Sequence, residues 1–215
     1  MLIAFGNPYN AKPSISLLDT WMTNNTLGLA NQYYVMRHGE SQANARGIVV
    51  SDPERGIMNY GLTERGRNQA RESATEFIRP DKQLRIYCSD FRRARETADI
   101  VRNVLSSPTA VVPCRQLRER YFGDLDGGSD TAYEEIWTRD ALNPSHTELG
   151  VESVMSVLTR TSALLESLER CHREQRLLLI AHGDVLQILQ TAFAGLLPSQ
   201  HRQLPPLQVA EIRPL

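Results

Sequence analysis

The sequence predicts an α/β fold built on a mainly parallel central sheet. Three observations carry this. Short apolar runs at residues 33–36, 84–88 and 177–181 alternate with stretches of helical period. The run Leu177-Leu178-Leu179-Ile180-Ala181 is unbroken, as in a strand buried on both faces of a parallel sheet. Each run also ends in a polar cluster. At 215 residues the chain can bury one sizeable core, and one domain is the default.

Residues 1–31 read as an N-terminal extension before a domain over 32–215, because Pro8 and Pro13 interrupt and no regular period holds. The run at 33–36 opens the sheet and leads into a polar loop reaching about residue 61. Thr63 is a good N-cap type for a helix over 63–79, with Ala70, Ala74, Phe77 and Ile78 on one side. Gly66 inside it costs about 1 kcal/mol relative to Ala. A strand follows at 84–88, and Ser89 or Asp90 caps a helix reaching about Leu105. Segments 110–112 and 116–117 read as short extended pieces around Pro113. A long helix over 152–172 carries Val154, Leu158, Thr161, Leu165 and Leu168 on one stripe. After the strand at 177–181, a helix over 184–194 is stopped by Gly195.

Composition excludes several classes. With 41% hydrophobic and 23% charged residues the chain is neither disordered nor fibrous. A net charge of -1 argues against nucleic-acid binding or attraction to a membrane surface. Cys88, Cys114 and Cys171 are odd in number, far apart and without a CxxC pair. Neither a disulfide framework nor a zinc ribbon is supported, and a reducing, cytoplasmic setting is the simplest reading. No apolar run approaches the roughly 18–20 residues of a membrane span. The opening MLIAF lacks a basic leader and soon meets Asn7-Pro8, so it does not read as a signal peptide.

The chemistry sits at the strand ends. Arg37-His38-Gly39 follows one strand, Ser89-Asp90 with Arg92 and Arg93 a second, and His182-Gly183-Asp184 a third. Ligands of open α/β sheets bind outside the carboxyl ends of the strands, so these groups are candidates for one crevice. Two His and one or two Arg there would suit a dianionic phosphoryl group, with N–H donors added by helix N-termini near Ser89 and Gly183. Helical phase puts Phe91, Ala94, Ala98, Val101 and Leu105 on the buried arc, with Arg93 at its edge and Arg92 and Arg95 toward solvent. Read alone, RHG fits a turn with a solvated Arg and a packed His equally well. From Cys88 a C-x5-R spacing lands on Ala94, which excludes a cysteine-phosphatase loop, and no HxH or HxxxH pattern supports a metal site.

RHGE at 37–40, Asn44, GLTERGRNQA at 61–70, CSDFRRARETA at 88–98, LRERYFGDLDG at 117–127 and AHGDVLQIL at 181–189 together resemble the histidine phosphatase (phosphoglycerate mutase-like) superfamily, over roughly 33–195. The resemblance implies a three-layer α/β/α fold and phosphoryl transfer without a metal or other cofactor. By match to the motifs, His38 would be the nucleophile, and Arg37, Arg93 and His182 would hold the non-bridging oxygens. Glu119 would protonate the leaving oxygen, with a pKa raised by partial burial. Its competing reading is an exposed carboxylate paired with Arg118 or Arg120. Gly39 and Gly183 would belong to the substrate-binding turns. Asn44 would bond the phosphoryl group or simply form a turn, and Ser51 would reach the pocket from its loop or not. Asp184 reads as a helix cap, and His146, His172 and His201 as surface residues.

The function implied is hydrolysis of a small phosphorylated metabolite through a phosphohistidine. The alternatives are a mutase-type phosphotransferase and a non-catalytic phosphate-binding module. Mutases of the family carry a Tyr three residues after the acid and then basic residues. Here Phe122 stands at that place, and 124–135 holds Asp124, Asp126, Asp130, Glu134 and Glu135 with no Lys or Arg. A substrate with little further negative charge is therefore expected, unless that stretch is a solvated loop or other basic residues intervene. Tyr133 and Trp137 are available for stacking on substrate or for core packing. A small phosphorylated substrate is the expected partner, with no nucleic acid or membrane, for a monomer or homodimer.

Overall fold

The computed structural model describes residues 28–77 and 84–215. In chain order these contain β1 (Gln32–Arg37), α1 (Gln42–Arg46), α2 (Pro53–Gly56), α3 (Glu64–Glu76), β2 (Leu84–Cys88), α4 (Arg92–Val104), β3 (Val112–Pro113), α5 (Tyr133–Leu142), α6 (Val154–Cys171), β4 (Arg176–Ala181), α7 (Gly183–Ala194) and β5 (Ile212–Pro214). The strands form one sheet in the order β3-β2-β4-β1-β5, parallel except for β5.

Strand alternation sorts the side chains into two cores. Tyr33, Val35, Leu177 and Leu179 meet Leu165 and Leu168 of α6 and Leu186 and Leu189 of α7. Met36, Ile86, Leu178 and Ile180 meet Ala70 and Ala74 of α3 and Ala94, Ala98 and Val101 of α4. The sheet thus lies between two helical layers, as expected. Each fully buried Leu or Ile contributes roughly 1.5–3 kcal/mol, which is why the unbroken apolar run became the central strand β4. Cys88 packs in the second core, where burial pushes its thiol up to about 12.

Register brings the strand ends together. Arg37 pairs with Ala181 across β1 and β4. The backbone continues that pairing past the strands, with His38 N–H donating to Ala181 O at 3.0 Å and Ser89 N–H to Ile180 O at 2.9 Å. His38, His182 and Ser89 therefore leave the sheet side by side.

Gly66 of α3 has a tertiary reason. Thr63 caps the helix by accepting from Gly66 N–H, and its own N–H donates to Glu40 O at 2.9 Å. The turn after β1 lies so close that a Cβ on Gly66 would stand 2.0 Å from Glu40 O, and one on Gly39 would stand 2.4 Å from Gly66 O. The helix-breaking residue is what lets the RHGE turn seat against α3.

Several local expectations change. The N-cap of α4 is Phe91, without a side-chain cap bond, because Ser89 and Asp90 are engaged elsewhere. Of the expected extended pieces only Val112 is in a strand, which continues through Pro113, and Arg115–Leu117 is a 3-10 turn. The antiparallel β5 was not anticipated, since Ile212–Pro214 offers just three residues and ends in proline. Ile78 and residues 1–27 lie outside the described residues. Asn31 is tied down by its amide, which donates to Glu169 Oε1 at 2.7 Å and to His172 O at 2.9 Å, so the chain is already docked just before β1.

Candidate active site

A cavity of about 390 Å³ opens at the carboxyl end of the sheet and is lined by Arg37, His38, Asn44, Arg93, Glu119 and Gly183, among others. At its floor, His38 is 2% exposed. Its Nδ1 lies 2.7 Å from Gly39 O, and its Nε2 lies 3.0 Å from Arg93 Nε. Carbonyl oxygens only accept and guanidinium nitrogens only donate, which assigns the hydrogen to Nδ1 and a lone pair to Nε2. Burial, followed by the charges of Arg93 and Arg37, holds its pKa well below the usual imidazole value. The ring is neutral, with an unprotonated nitrogen facing the cavity.

Arg93 is buried on the inner edge of α4, as its helical phase predicts, while Arg92 is exposed and pairs with Glu96. Its Nη2 donates to Val50 O at 3.0 Å. Arg37 leaves β1 toward the C-terminal segment and donates from Nη1 to Leu207 O at 3.0 Å. His182 is fully buried, and its ring meets His38 edge-on at 5.2 Å. Ser89 Oγ accepts from Phe91 N–H at 3.2 Å and lies 2.9 Å from His182 Nε2. With the Ser89 proton turned to Nε2, His182 Nδ1 carries the hydrogen that faces Glu119 Oε2 at 3.5 Å.

Glu119 Oε2 also stands 3.5 Å from Arg93 Nη2, and Oε1 accepts from Arg120 N–H at 3.0 Å. Burial raises its pKa to about 7; Arg93 opposes this, and Asp184 adds to it. The expected raised pKa is present, and the competing surface pairing is not. Arg118 binds Asp90 instead, and Arg120 turns inward.

Three buried donor atoms, Arg37 Nε and Arg93 Nη1 on lining side chains and His182 Nδ1 beside Glu119, have no hydrogen-bond partner among the described residues. Each unpaired polar atom costs about 1–3 kcal/mol. A group offering several anionic oxygens in one place would satisfy all three, and a tetrahedral phosphoryl group is built that way.

The remaining sequence candidates divide. Asn44 lines the cavity, and its Oδ1 accepts from Ser41 N–H and Oγ–H in a reciprocal cap of α1. Gly183 lies against Arg37, where a Cβ would come within 3.4 Å of Nε. Gly39 shapes the turn, and its N–H donates to Thr97 Oγ1 at 3.2 Å. Ser51 is not a lining residue: its hydroxyl donates to Asp126 Oδ1 and accepts from Phe122 N–H, which ties two loops together.

Two histidines expected at the surface are buried. His146 Nε2 lies 2.8 Å from Asp140 Oδ1, and His201 Nε2 lies 3.6 Å from Asp184 Oδ1. They belong to a charged network centred on Arg120, which grips Asp140 through both carboxylate oxygens at 2.6 and 2.7 Å and Asp184 at 3.2 Å. His172 is half-buried and meets the Tyr87 hydroxyl at 2.6 Å. Asp184 does not cap α7. It accepts from Trp137 Nε1 at 3.0 Å, and although burial works to raise its pKa, His201 and Arg120 hold the carboxyl well below its usual range. No local period could announce these contacts, because the partners lie up to 85 positions apart.

The far wall holds Phe122, Tyr133 and Trp137, the last two stacked at 5.4 Å. Of the acidic stretch, Asp130 lines the cavity while Asp124, Glu134 and Glu135 are exposed. A residue the sequence reading missed also lines it: Arg202, whose guanidinium carbon sits 3.6 Å over the Trp137 ring. Among the described residues no cluster of His, Cys, Asp and Glu is placed to hold a metal ion, and no helix is long and apolar enough to cross a membrane.

Comparison with known proteins identifies relatives in sequence and in fold. The chain is 32% identical to a probable phosphoglycerate mutase of Photorhabdus laumondii, over 80% of this chain and 79% of that protein. It is 29% identical to a metal-independent phosphoserine phosphatase of Arabidopsis thaliana, over 75% and 70%. It is 31% identical to an adenosylcobalamin/alpha-ribazole phosphatase of Salmonella typhimurium, over 73% and 76%. In fold it is similar to a mycobacterial glucosyl-3-phosphoglycerate phosphatase, with a TM-score of 0.71 at 24% identity over 85% of this chain and 91% of that one. The family model that matches residues 33–214 reaches from β1 to β5. By that match, the chain belongs to the histidine phosphatase superfamily (branch 1).

Proposed function

We propose that the protein is a phosphomonoesterase that acts on a small phosphorylated metabolite through a phosphohistidine at His38. The observation that carries this reading is the pairing, in one cavity, of a neutral His38 whose unprotonated Nε2 accepts from Arg93 and a Glu119 carboxyl whose pKa is about 7. A nucleophile is thus unprotonated where an acid is still protonated.

As the phosphoryl group enters, Arg93 transfers its Nε hydrogen bond from His38 to a non-bridging oxygen, which frees the lone pair. Nε2 attacks phosphorus, the P–N bond forms and the P–O bond to the alcohol breaks. Glu119 gives its proton to the departing oxygen. The positive charge gained by the ring is met by Gly39 O, on Nδ1–H. Arg37, Arg93 and His182 stabilise the charge spread over the equatorial oxygens. Water then attacks phosphorus, Glu119 takes its proton back, and the P–N bond breaks to release inorganic phosphate and neutral His38. No step in this scheme calls for a metal.

The phosphatase names among the relatives support hydrolysis, and Phe122 in place of the mutases' tyrosine does so as well. The test is turnover of an aryl phosphate in EDTA, together with trapping of an acid-labile, base-stable phosphoprotein on rapid quenching. Loss of both in His38→Ala is the expected result. Full activity in that variant would end the phosphohistidine reading, and transfer to an alcohol without phosphate release would favour a mutase.

A further inference from the structure

We propose that Arg202 sets substrate preference, by gripping a carboxylate at the far end of the phosphomonoester. The inference rests on the phosphatase reading above. Arg202 lines the same cavity as His38, in company with Trp137 and Gln187. Two contacts hold it there. Its guanidinium lies face-on at 3.6 Å from the Trp137 ring centroid, and its Nη1 donates to Gln187 Oε1. Gln187 is itself fixed by donating from Nε2 to Leu204 O.

A guanidinium stacked by its face keeps its in-plane N–H groups for a ligand, and that planar fork matches a carboxylate in two-point contact. Its place in the cavity favours the same ligand. Arg37, Arg93 and Arg202 face the cavity against Glu119, Asp130 and Asp184. Arg120 is shared between Asp140 and Asp184, and Arg37 and Arg93 are committed to the phosphoryl group. Arg202 is the lining cation left for a second acidic group. The expectation of a substrate with little further negative charge came from residues 124–135, but the cation is supplied from 202, far along the chain. Asp130 argues the other way, since it would favour an ammonium group.

Three small phosphomonoesters separate these readings. 3-Phosphoglycerate and glycerol 3-phosphate share a carbon skeleton and differ by carboxylate against hydroxymethyl, whereas phosphoethanolamine offers only an ammonium. Wild type is expected to prefer 3-phosphoglycerate in kcat/KM. Arg202→Gln should lower the ratio to glycerol 3-phosphate by about tenfold, mainly through KM, and Arg202→Lys should restore part of it. An unchanged ratio in Arg202→Gln, or a preference for phosphoethanolamine, overturns the proposal. If wild type hydrolyses neither these three nor the aryl phosphate, the phosphatase reading fails by itself. Calorimetric binding of the same compounds then decides this one: a preference for 3-phosphoglycerate lost in Arg202→Gln upholds it, and equal affinities sink it.

Discussion

Arg93 donates its Nε–H to His38 Nε2 at 3.0 Å, while the other ring nitrogen of His38 bonds its neighbour's carbonyl, Gly39 O, at 2.7 Å. One contact assigns the tautomer and the other supplies the nearest cation. Together they explain how a histidine enclosed by protein remains an unprotonated base.

That relationship predicts a pH effect. Burial is the first cause of the depressed His38 pKa and Arg93 the second. In Arg93→Gln the cation is gone, so the His38 pKa rises and the acid limb of kcat/KM moves to higher pH. The rate at the optimum should fall by about 10²–10³-fold from lost charge stabilisation. A pH–rate profile of both proteins measures the two effects separately.

Glu119 carries the opposite shift, from an ordinary 4.5 up to about 7, caused first by burial. The alkaline limb of kcat/KM for alkyl phosphates should therefore fall near pH 7, as the acid loses its proton. Glu119→Gln should lose about 10²–10⁴-fold on such substrates and much less on an aryl phosphate, whose leaving group needs little protonation. Stability follows with the same sign. A carboxyl with a raised folded pKa favours folding below 4.5 and loses that contribution as pH climbs through about 7. The melting temperature of Glu119→Gln should gain on wild type across that window.

The Arg120–Asp140 pair is fully buried on both sides, with two short bonds. Asp140→Ala leaves a buried guanidinium with Asp184 as its remaining carboxylate partner. Denaturant unfolding should show a loss of about 3–5 kcal/mol. Because Arg120 N–H also holds Glu119 Oε1, the alkaline limb of the folded variant should shift as well.

Gly66→Ala separates helix propensity from packing. Propensity alone predicts a gain of about 1 kcal/mol in α3. The added methyl would stand 2.0 Å from Glu40 O, so a loss of about 1–3 kcal/mol is expected instead. Turnover should fall with it, since the same turn carries His38.

Much of this architecture is legible along the chain. The unbroken run at 177–181 announces a strand covered on both faces, Thr63 announces the start of α3, and the helical phase of residues 91–105 turns Arg93 inward and Arg92 outward. These readings succeed because period and capping are local, and a strand or helix commits its side chains to faces within a few residues. The residues at 37–39, 93 and 182 are legible for another reason: parallel strands in one sheet deliver their carboxyl ends to one edge, so polar residues at those ends share a crevice, whereas Glu119 is marked only by its motif.

What required the tertiary structure is everything that depends on partners distant in sequence. His146 and His201 look like surface residues until Asp140 and Asp184 meet them inside the protein. Ser51 looks like a pocket residue until Asp126 and Phe122 claim its hydroxyl. Gly66 looks like a weak point until Glu40 is found against it, and Arg202 has no visible role until Trp137 comes beneath it. Burial and charge pairing are properties of the assembled neighbourhood, and a neighbourhood spanning more than a hundred positions leaves no periodic trace in any one segment.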